Sequence, residues 1–353
     1  PTPYYYTLDP QTFQRMTPEQ KANFKRMLRP RHVAFIGGTD AIIAIGEARR
    51  RGYEGSYWPV NPKRESLAGI SCFGSVRDLP EAPDAVFLAI PARQATQIIK
   101  ELSKMGAGGI VCYSAGFKEA GEDGAYLERE LIKAAGDMAI IGPNCYGIIN
   151  YIDNLALWPF AHGGYCPGYG AAIITQSGMF SSDISMSQRS LPLTFMVSAG
   201  NQAVMGLEDF IDIFSSHDDT RAIGVHIEGL SDIQKFEAVA LKALANDTPI
   251  VAIKTGTSDI GSALTVSHTG SLSGSNAFYD ALFHRCGVIA VDNPSQFLET
   301  LKYLCVVDRP KGNRIVGFTC SGGGATMLAD HGANIALEFP AFDEAATEKL
   351  RTL

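Results

Sequence analysis

Nine short, nearly continuous apolar runs, most of them closed by small or special residues, constrain this chain more than any other feature. They read HVAFIGG (32–38), SYWPVNPK (56–63), DAVFLAIP (84–91), GGIVCYSAGF (108–117), MAIIGPNCYGIIN (138–150), AAIITQSG (171–178), TFMVSAGN (194–201), AIGVHIEGL (222–230) and PIVAIKTG (249–256). A strand that is apolar on both faces must be covered on both faces, which is the situation in a parallel sheet between helices. The intervening stretches suit those helices, as in AIIAIGEARRRG (41–52), NAFYDALFHRCG (276–287) and PSQFLETLKYL (294–304). The fold class is therefore α/β, doubly wound and parallel. In such sheets ligands sit at the carboxyl ends of the strands. That rule gathers Gly37–Thr39, Asn61–Lys63, Pro91 and Ser114–Gly116 on one edge of a first sheet. It gathers Ser177, Glu228 and the residues after Lys254 on one edge of a second.

The stretch GSALTVSHTGSLSG (261–274) follows such a strand end. Its glycines and hydroxyls suit a loop, and His268 is its one titratable side chain. An imidazole there is either a solvated loop histidine or a nucleophile and proton carrier that reaches a reacting group. The turn Gln176-Ser177-Gly178 is either a plain N-cap or a set of N–H donors for an anion. Gly37-Gly38-Thr39 closes the first strand, but it is not GxGxxG. The second strand ends in Asn61-Pro62-Lys63 without an acid for a ribose, so a nucleotide-type ligand fits better than NAD. The seven cysteines are scattered without CxxC or metal spacing, which suits reduced thiols in a cytoplasmic protein. Cys145 is read as a packed thiol. No metal ligands are assigned.

A formal net charge of −7 argues against a nucleic-acid groove. The start, PTPYYYTLDP, lacks the basic and apolar regions of a signal peptide. The uncharged stretch 154–182 is interrupted by Gly163, Gly164, Pro167, Gly168 and Gly170, so no membrane span is expected. Near the start, Thr17, Pro18 and Gln20 predict a capped helix over PEQKANFKRML (18–28).

Several motifs in order resemble the nucleoside-diphosphate-forming acyl-CoA synthetases, relatives of the succinyl-CoA synthetase α subunit. They are VNPK (60–63), DAVFLAIPA (84–92), SAGFKE (114–119), GPNCYGIIN (142–150), TQSG (175–178), AGN (199–201), IEG (227–229), SHTGSLSG (267–274) and CSGGG (320–324). The resemblance runs from about Arg29 to Leu353. It implies an N-terminal arm (1–28), a Rossmann-like CoA-binding domain (29–152), a flavodoxin-like domain with the phosphohistidine loop (165–308) and the start of a third α/β domain (312–353), read as a truncated piece.

The implied reaction joins a carboxylic acid to CoA at the expense of ATP, through phospho-His268 and an acyl phosphate. Glu228 would hold the imidazole, and Gln176, Ser177, Gly178 and Met179 the phosphoryl group. Gly38, Thr39 and Lys63 would meet the CoA phosphates. Pro91, Ser114 and Gly116 would meet its adenine and pantetheine, and Asn144 would lie where acyl group and thiol meet. ATP, ADP and Mg2+ would be handled by an ATP-grasp domain in the same or another chain, and a homo-oligomer is expected. One departure is Asp40, where the family commonly has small residues and Ser. Two other classes compete: a CoA-binding regulatory or acyltransferase-fused protein, and an NAD(P)-binding oxidoreductase. The aromatic residues Trp158, Phe160, Tyr165 and Tyr169 either line an acyl pocket for a bulky or cationic acid or pack between domains.

Overall fold

In the computed structural model, residues 16–258, 260–261, 276–308 and 310–352 are described. The chain divides into two compact units, 1–306 and 307–353. The elements of the larger unit are α1 (Pro18–Leu28), β1 (His32–Gly37), α2 (Thr39–Arg51), β2 (Ser56–Val60), a small hairpin β3 (Ser66–Leu67) and β4 (Ile70–Ser71), β5 (Ala85–Ala89), α3 (Ala92–Met105), β6 (Gly109–Cys112), α4 (Glu122–Ala135) and β7 (Ala139–Ile141). There follow β8 (Gly147–Asn150), β9 (Leu155–Leu157), β10 (Gly170–Thr175), α5 (Gly178–Ser185), β11 (Leu193–Ser198), α6 (Leu207–Phe214), β12 (Thr220–Ile227), α7 (Ile233–Ala245), β13 (Ile250–Lys254), α8 (Asn276–Cys286), β14 (Ile289–Val291) and α9 (Pro294–Val306).

The first sheet is wholly parallel in the order β2-β1-β5-β6-β7. Every residue of β1 is buried, as its unbroken apolarity requires. Its order reverses between β1 and β5, so their ends, Gly37-Gly38 and Ala89-Ile90-Pro91, flank a crevice. Gly37 is needed there: a Cβ would lie 2.5 Å from the Ala89 carbonyl oxygen. The second sheet runs β14-β13-β12-β10-β11-β8-β9. Its first five strands are parallel in flavodoxin-like order, with the reversal between β10 and β12. That second crevice lies beside Gln176-Ser177 and Glu228.

Two readings change. MAIIGPNCYGIIN is not one strand. After β7 the chain turns at Gly142–Asn144, and β8 pairs antiparallel with β11, followed by β9 on β8. Asn144 has φ 55°, which breaks any extended run. Residues at the end of the segment assigned to the CoA-binding domain, and those just after it, thus complete the second sheet.

The N-terminal arm is likewise not peripheral. α1 forms with the predicted capping box between Thr17 and Gln20. It packs on β5, β6 and β7 and places Phe24 against Phe210 and Phe214 of α6, at ring-centroid distances of 5.8 and 6.3 Å. Lys21 reaches Asp212 at 2.6 Å on the α6 side, and Arg26 reaches Asp84 at 2.8 Å on the first-sheet side. Phe24 has no exposed surface. Phe24→Ala is expected to cost about 3–5 kcal/mol, as buried Phe truncations do. A guanidinium unfolding midpoint equal to the parent's would mean the helix is dispensable.

The smaller unit carries α10 (Gly322–Asn334) and α11 (Glu344–Arg351). The apolar run RIVGFTC (314–320) before α10 forms a single bridge, Arg314 to Glu338, among the described residues. A strand needs a neighbour to make a ladder, and most of this run is exposed.

Candidate active site

Two clefts meet at the edge of the first sheet. The outer one, about 710 Å³, is lined by Gly37, Gly38, Asn61, Lys63 and Pro91. The inner one, about 610 Å³, is lined by Pro91, Ser114, Lys118 and Asn144–Tyr146 of the first half and by Gln176–Met179 and Gly200–Gln202 of the second. Ala89, Ile90 and Pro91 belong to both walls. The clefts therefore form one trough from the β1–β5 crevice to the N-terminus of α5.

In the outer cleft α2 starts at Gly38 without a side-chain cap, so its first N–H groups stay open to an anion. Thr39 is exposed in that first turn. Asn61, placed on this edge by the sequence but given no role of its own there, organises the cationic side. Its Nδ2 donates to the Gly37 carbonyl at 2.7 Å, and its Oδ1 accepts from the N–H of Lys63 at 2.9 Å and of Arg64 at 3.1 Å. This Asx turn fixes Lys63 at the cleft mouth.

In the inner cleft Ser114 is buried and tied to the sheet: its Oγ accepts from the Ile90 N–H at 3.2 Å. The Gly116 N–H is engaged by Glu119 Oε1 at 2.7 Å, and Gly116 lines neither cleft. The TQSG turn divides its work. Gln176 Oε1 accepts from the N–H groups of Glu228 and Gly229 at 2.6 and 3.1 Å, while its Nε2 donates to the Gly229 carbonyl at 2.8 Å. Gln176 thus braces the Glu228 turn while still lining the inner cleft. Ser177 caps α5 through its Oγ, which accepts from the Phe180 N–H at 3.4 Å. The N–H groups of Gly178 and Met179 make no hydrogen bond among the described residues. They are open N–H groups at a helix N-terminus, the kind of end that suits an anion. Gly178 is the residue that fits, since a Cβ would meet the Tyr146 ring at 2.9 Å.

Glu228 is 8 % exposed at the end of β12, so it is not a solvated helix-start acid; α7 is capped instead by Asp232. Lys254 Nζ donates to the Glu228 carbonyl at 2.9 Å, and the Leu230 N–H donates to Tyr279 Oη at 3.1 Å. Burial lowers the Lys254 ammonium, and the Glu228 charge partly restores it. Beside them, burial and then the Lys254 charge push the His226 imidazole down to about 4. His226 is therefore neutral near pH 7, spanning Thr175 and Thr255. His268 lies outside the described residues, as do the other positions of 262–275. The strand that leads to them, β13, ends at Lys254 beside Glu228.

The SAGFKE and AGN motifs meet across the two halves. Asn201 Nδ2 donates to Glu119 Oε2 at 2.5 Å and to Glu128 Oε2 at 2.9 Å, and its Oδ1 accepts from Asn144 Nδ2 at 3.4 Å. Lys118 Nζ donates to the Asn201 carbonyl at 2.7 Å. Burial raises Glu119, but the Asn201 amide and the Gly116 N–H outweigh it and hold the carboxyl below its ordinary range. Gly200 (φ 59°) fits beneath: a Cβ would stand 2.4 Å from the Pro143 carbonyl oxygen. Of the suspected aromatic residues, Trp158 is fully buried behind Tyr146, Tyr165 is exposed elsewhere, and Tyr169 stacks under Arg221 at 3.7 Å. Burial pushes the Cys145 thiol well up, and its S–H faces the Cys112 carbonyl at 3.4 Å. It is a packed thiol. Among the described residues no group of three His, Cys, Asp or Glu side chains could hold a metal. Nor, among them, is any helix long and apolar enough to cross a membrane.

The fold defines a two-module α/β protein whose first-sheet crevice opens into a trough that ends at the N-terminus of α5. Residues 41–151 match the CoA binding domain family, and residues 169–304 match the succinyl-CoA ligase like flavodoxin domain. The α subunit of acetate–CoA ligase (ADP-forming) II from Pyrococcus furiosus is 32% identical over 92% of this chain and 71% of its own length. Acetate–CoA ligase (ADP-forming) I from Archaeoglobus fulgidus is 34% identical over 87% of this chain and 45% of its own length. A solved acetyl-coenzyme A synthetase 1 from Ca. Korarchaeum cryptofilum, in complex with phosphate and ADP, superposes with a TM-score of 0.84 at 25% identity, over 94% of this chain and 72% of that one. This chain belongs to the nucleoside-diphosphate-forming acyl-CoA synthetases and aligns with their α subunits.

Proposed function

We propose that this chain supplies the CoA-binding and phosphohistidine modules of an ADP-forming acid–CoA ligase, which converts a carboxylic acid, CoA and ATP into acyl-CoA, ADP and phosphate. The trough carries this reading: one wall, Ala89–Pro91, joins a cleft with an uncapped helix start and Lys63 to a cleft that ends at the open N–H groups of Gly178 and Met179. Gly38, Thr39 and Lys63 face the CoA phosphates. Pro91 and the Ser114-Ala115 turn guide the pantetheine arm, and Asn144 stands near the thiol end. Ser177, Gly178 and Met179 receive the phosphoryl group. Gln176 braces Glu228, whose carboxylate orients His268. ATP, ADP and Mg2+ belong to an ATP-grasp domain, as a separate subunit or in a longer chain. The setting proposed is the cytoplasm, and the assembly a homo-oligomer of such units.

Limited proteolysis tests the ligand. CoA is expected to protect the chain at concentrations where NADH does not. Equal protection by NADH, or none by CoA, would sink the reading.

A further inference from the structure

Asp40 has no part in the chemistry above. It stands in the first turn of α2 and lines the inner cleft, not the outer one. It makes no hydrogen bond or ion pair with another described residue. The same cleft is walled by Tyr113 and Tyr146. Phe160 meets Tyr113 edge-on at a centroid distance of 6.3 Å and tilts against Tyr146 at 4.3 Å, while Phe87 stacks on Tyr113 at 5.8 Å. Burial, and then the Asp40 charge, keep the Tyr113 phenol above its ordinary range, so it stays neutral. The aromatic wall reaches the catalytic end: Tyr146 Oη lies 3.4 Å from Met179 Sδ, and its ring abuts Gly178.

The cation of this cleft, Lys118, is already committed. It sits 2.7 Å from the Asn201 carbonyl and 3.9 Å from Glu128. What is left is the Asp40 carboxylate in a cleft that Tyr113 and Tyr146 also line. CoA does not satisfy it, because CoA brings phosphates and no cation. A hydrogen-bonding ammonium would want several acceptors. A cation sheathed in methyl groups wants one counter-charge and π faces, which attract it by about 0.5–2 kcal/mol per ring.

We propose that the acid activated here carries a fixed onium charge, a quaternary ammonium or a sulfonium, held between Asp40 and the faces of Tyr113 and Tyr146 while its carboxylate addresses the N-terminus of α5. This rests on the acid–CoA ligase reading and names its substrate class. Asp40 is the specificity determinant.

Calorimetric titration of the full-length protein separates the two claims. The probes are trimethylammonio- and dimethylsulfonio-acetyl-, propanoyl- and butanoyl-CoA, each against the neutral thioester with carbon in place of nitrogen or sulfur. In at least one pair the onium thioester is expected to bind about tenfold tighter or better. The larger ratio identifies the cation. Asp40→Asn is expected to shrink that ratio to within about threefold, because the counter-charge is gone while the rings remain. Equal affinity within every pair in the unmutated protein overturns the onium assignment and leaves the ligase reading standing. A ratio that survives Asp40→Asn overturns the role of Asp40. Failure of CoA and every thioester to bind overturns the ligase reading itself.

Discussion

Labelled phosphate from ATP is expected on the complete enzyme and absent from its His268→Asn variant, with CoA-thioester formation down by at least about three orders of magnitude. The reason is chemical. A phosphoryl group that must arrive and leave again needs a neutral nitrogen nucleophile, and Asn offers an amide that neither attacks nor carries it. The surroundings add to the case. β13 delivers the chain to its next stretch beside Glu228, and Gln176, Lys254 and the Leu230–Tyr279 contact hold that turn from separate elements. A base braced this way can fix one imidazole nitrogen as N–H and leave the other to attack. Label persisting in the variant would move the covalent step to another residue.

Asn201→Asp changes one amide into one carboxylate, yet a large loss is expected. The new oxygen would face Glu119 and Glu128, which now lie 2.5 and 2.9 Å from the Asn201 amide nitrogen. Asn201 and Glu128 are buried, so solvent cannot relieve the repulsion. At pH 7.5 the cost should be about 3–5 kcal/mol, the scale of a broken buried charge pair.

The pH dependence gives the sign. In the parent, Glu119 is held below its unfolded value, so its contribution is present above the unfolded pKa and is lost as pH falls through the folded one. In the variant one carboxyl of the cluster has a raised pKa. The folded state then takes up the extra proton, and stability is regained as pH drops from 7.5 towards 5. Denaturant melts at the two pH values check this. A variant equally stable at both, or less stable at pH 5, contradicts this account of the Asn201–Glu119–Glu128 cluster.

The sheets were legible because parallel strands must be apolar on both faces, and the carboxyl-end rule then collected Gly38, Lys63, Pro91, Ser177 and Glu228 without a structure. The small-residue motifs were harder to assign. Gln176 looks like a phosphate ligand in TQSG, but a carboxamide also suits a backbone clamp, and only the register of β10 against β12 decides for the clamp. Gly116 reads as a ligand turn, but Glu119, three residues on, occupies its N–H. SAGFKE and AGN were visible as motifs, while their mutual contact depends on a packing of the two halves that no local pattern encodes. The aromatic lining carried no local signal. Tyr113 and Tyr146 sit inside strand-end runs, whereas Trp158, Phe160, Tyr165 and Tyr169 stay open in the sequence between an acyl pocket and packing between domains. Asp40 was noticed as a departure, and its neighbours give it a meaning.

The crossing of β8 and β9 into the second sheet has a consequence for how such a gene can be rearranged. A splice anywhere between residues 147 and 157 would hand one product an orphaned strand edge and leave the other without its outer strands. Exchange of whole CoA-binding halves between relatives should therefore succeed only with a breakpoint upstream of the Gly142–Asn144 turn, and only when the donor's first helix matches the recipient's α6.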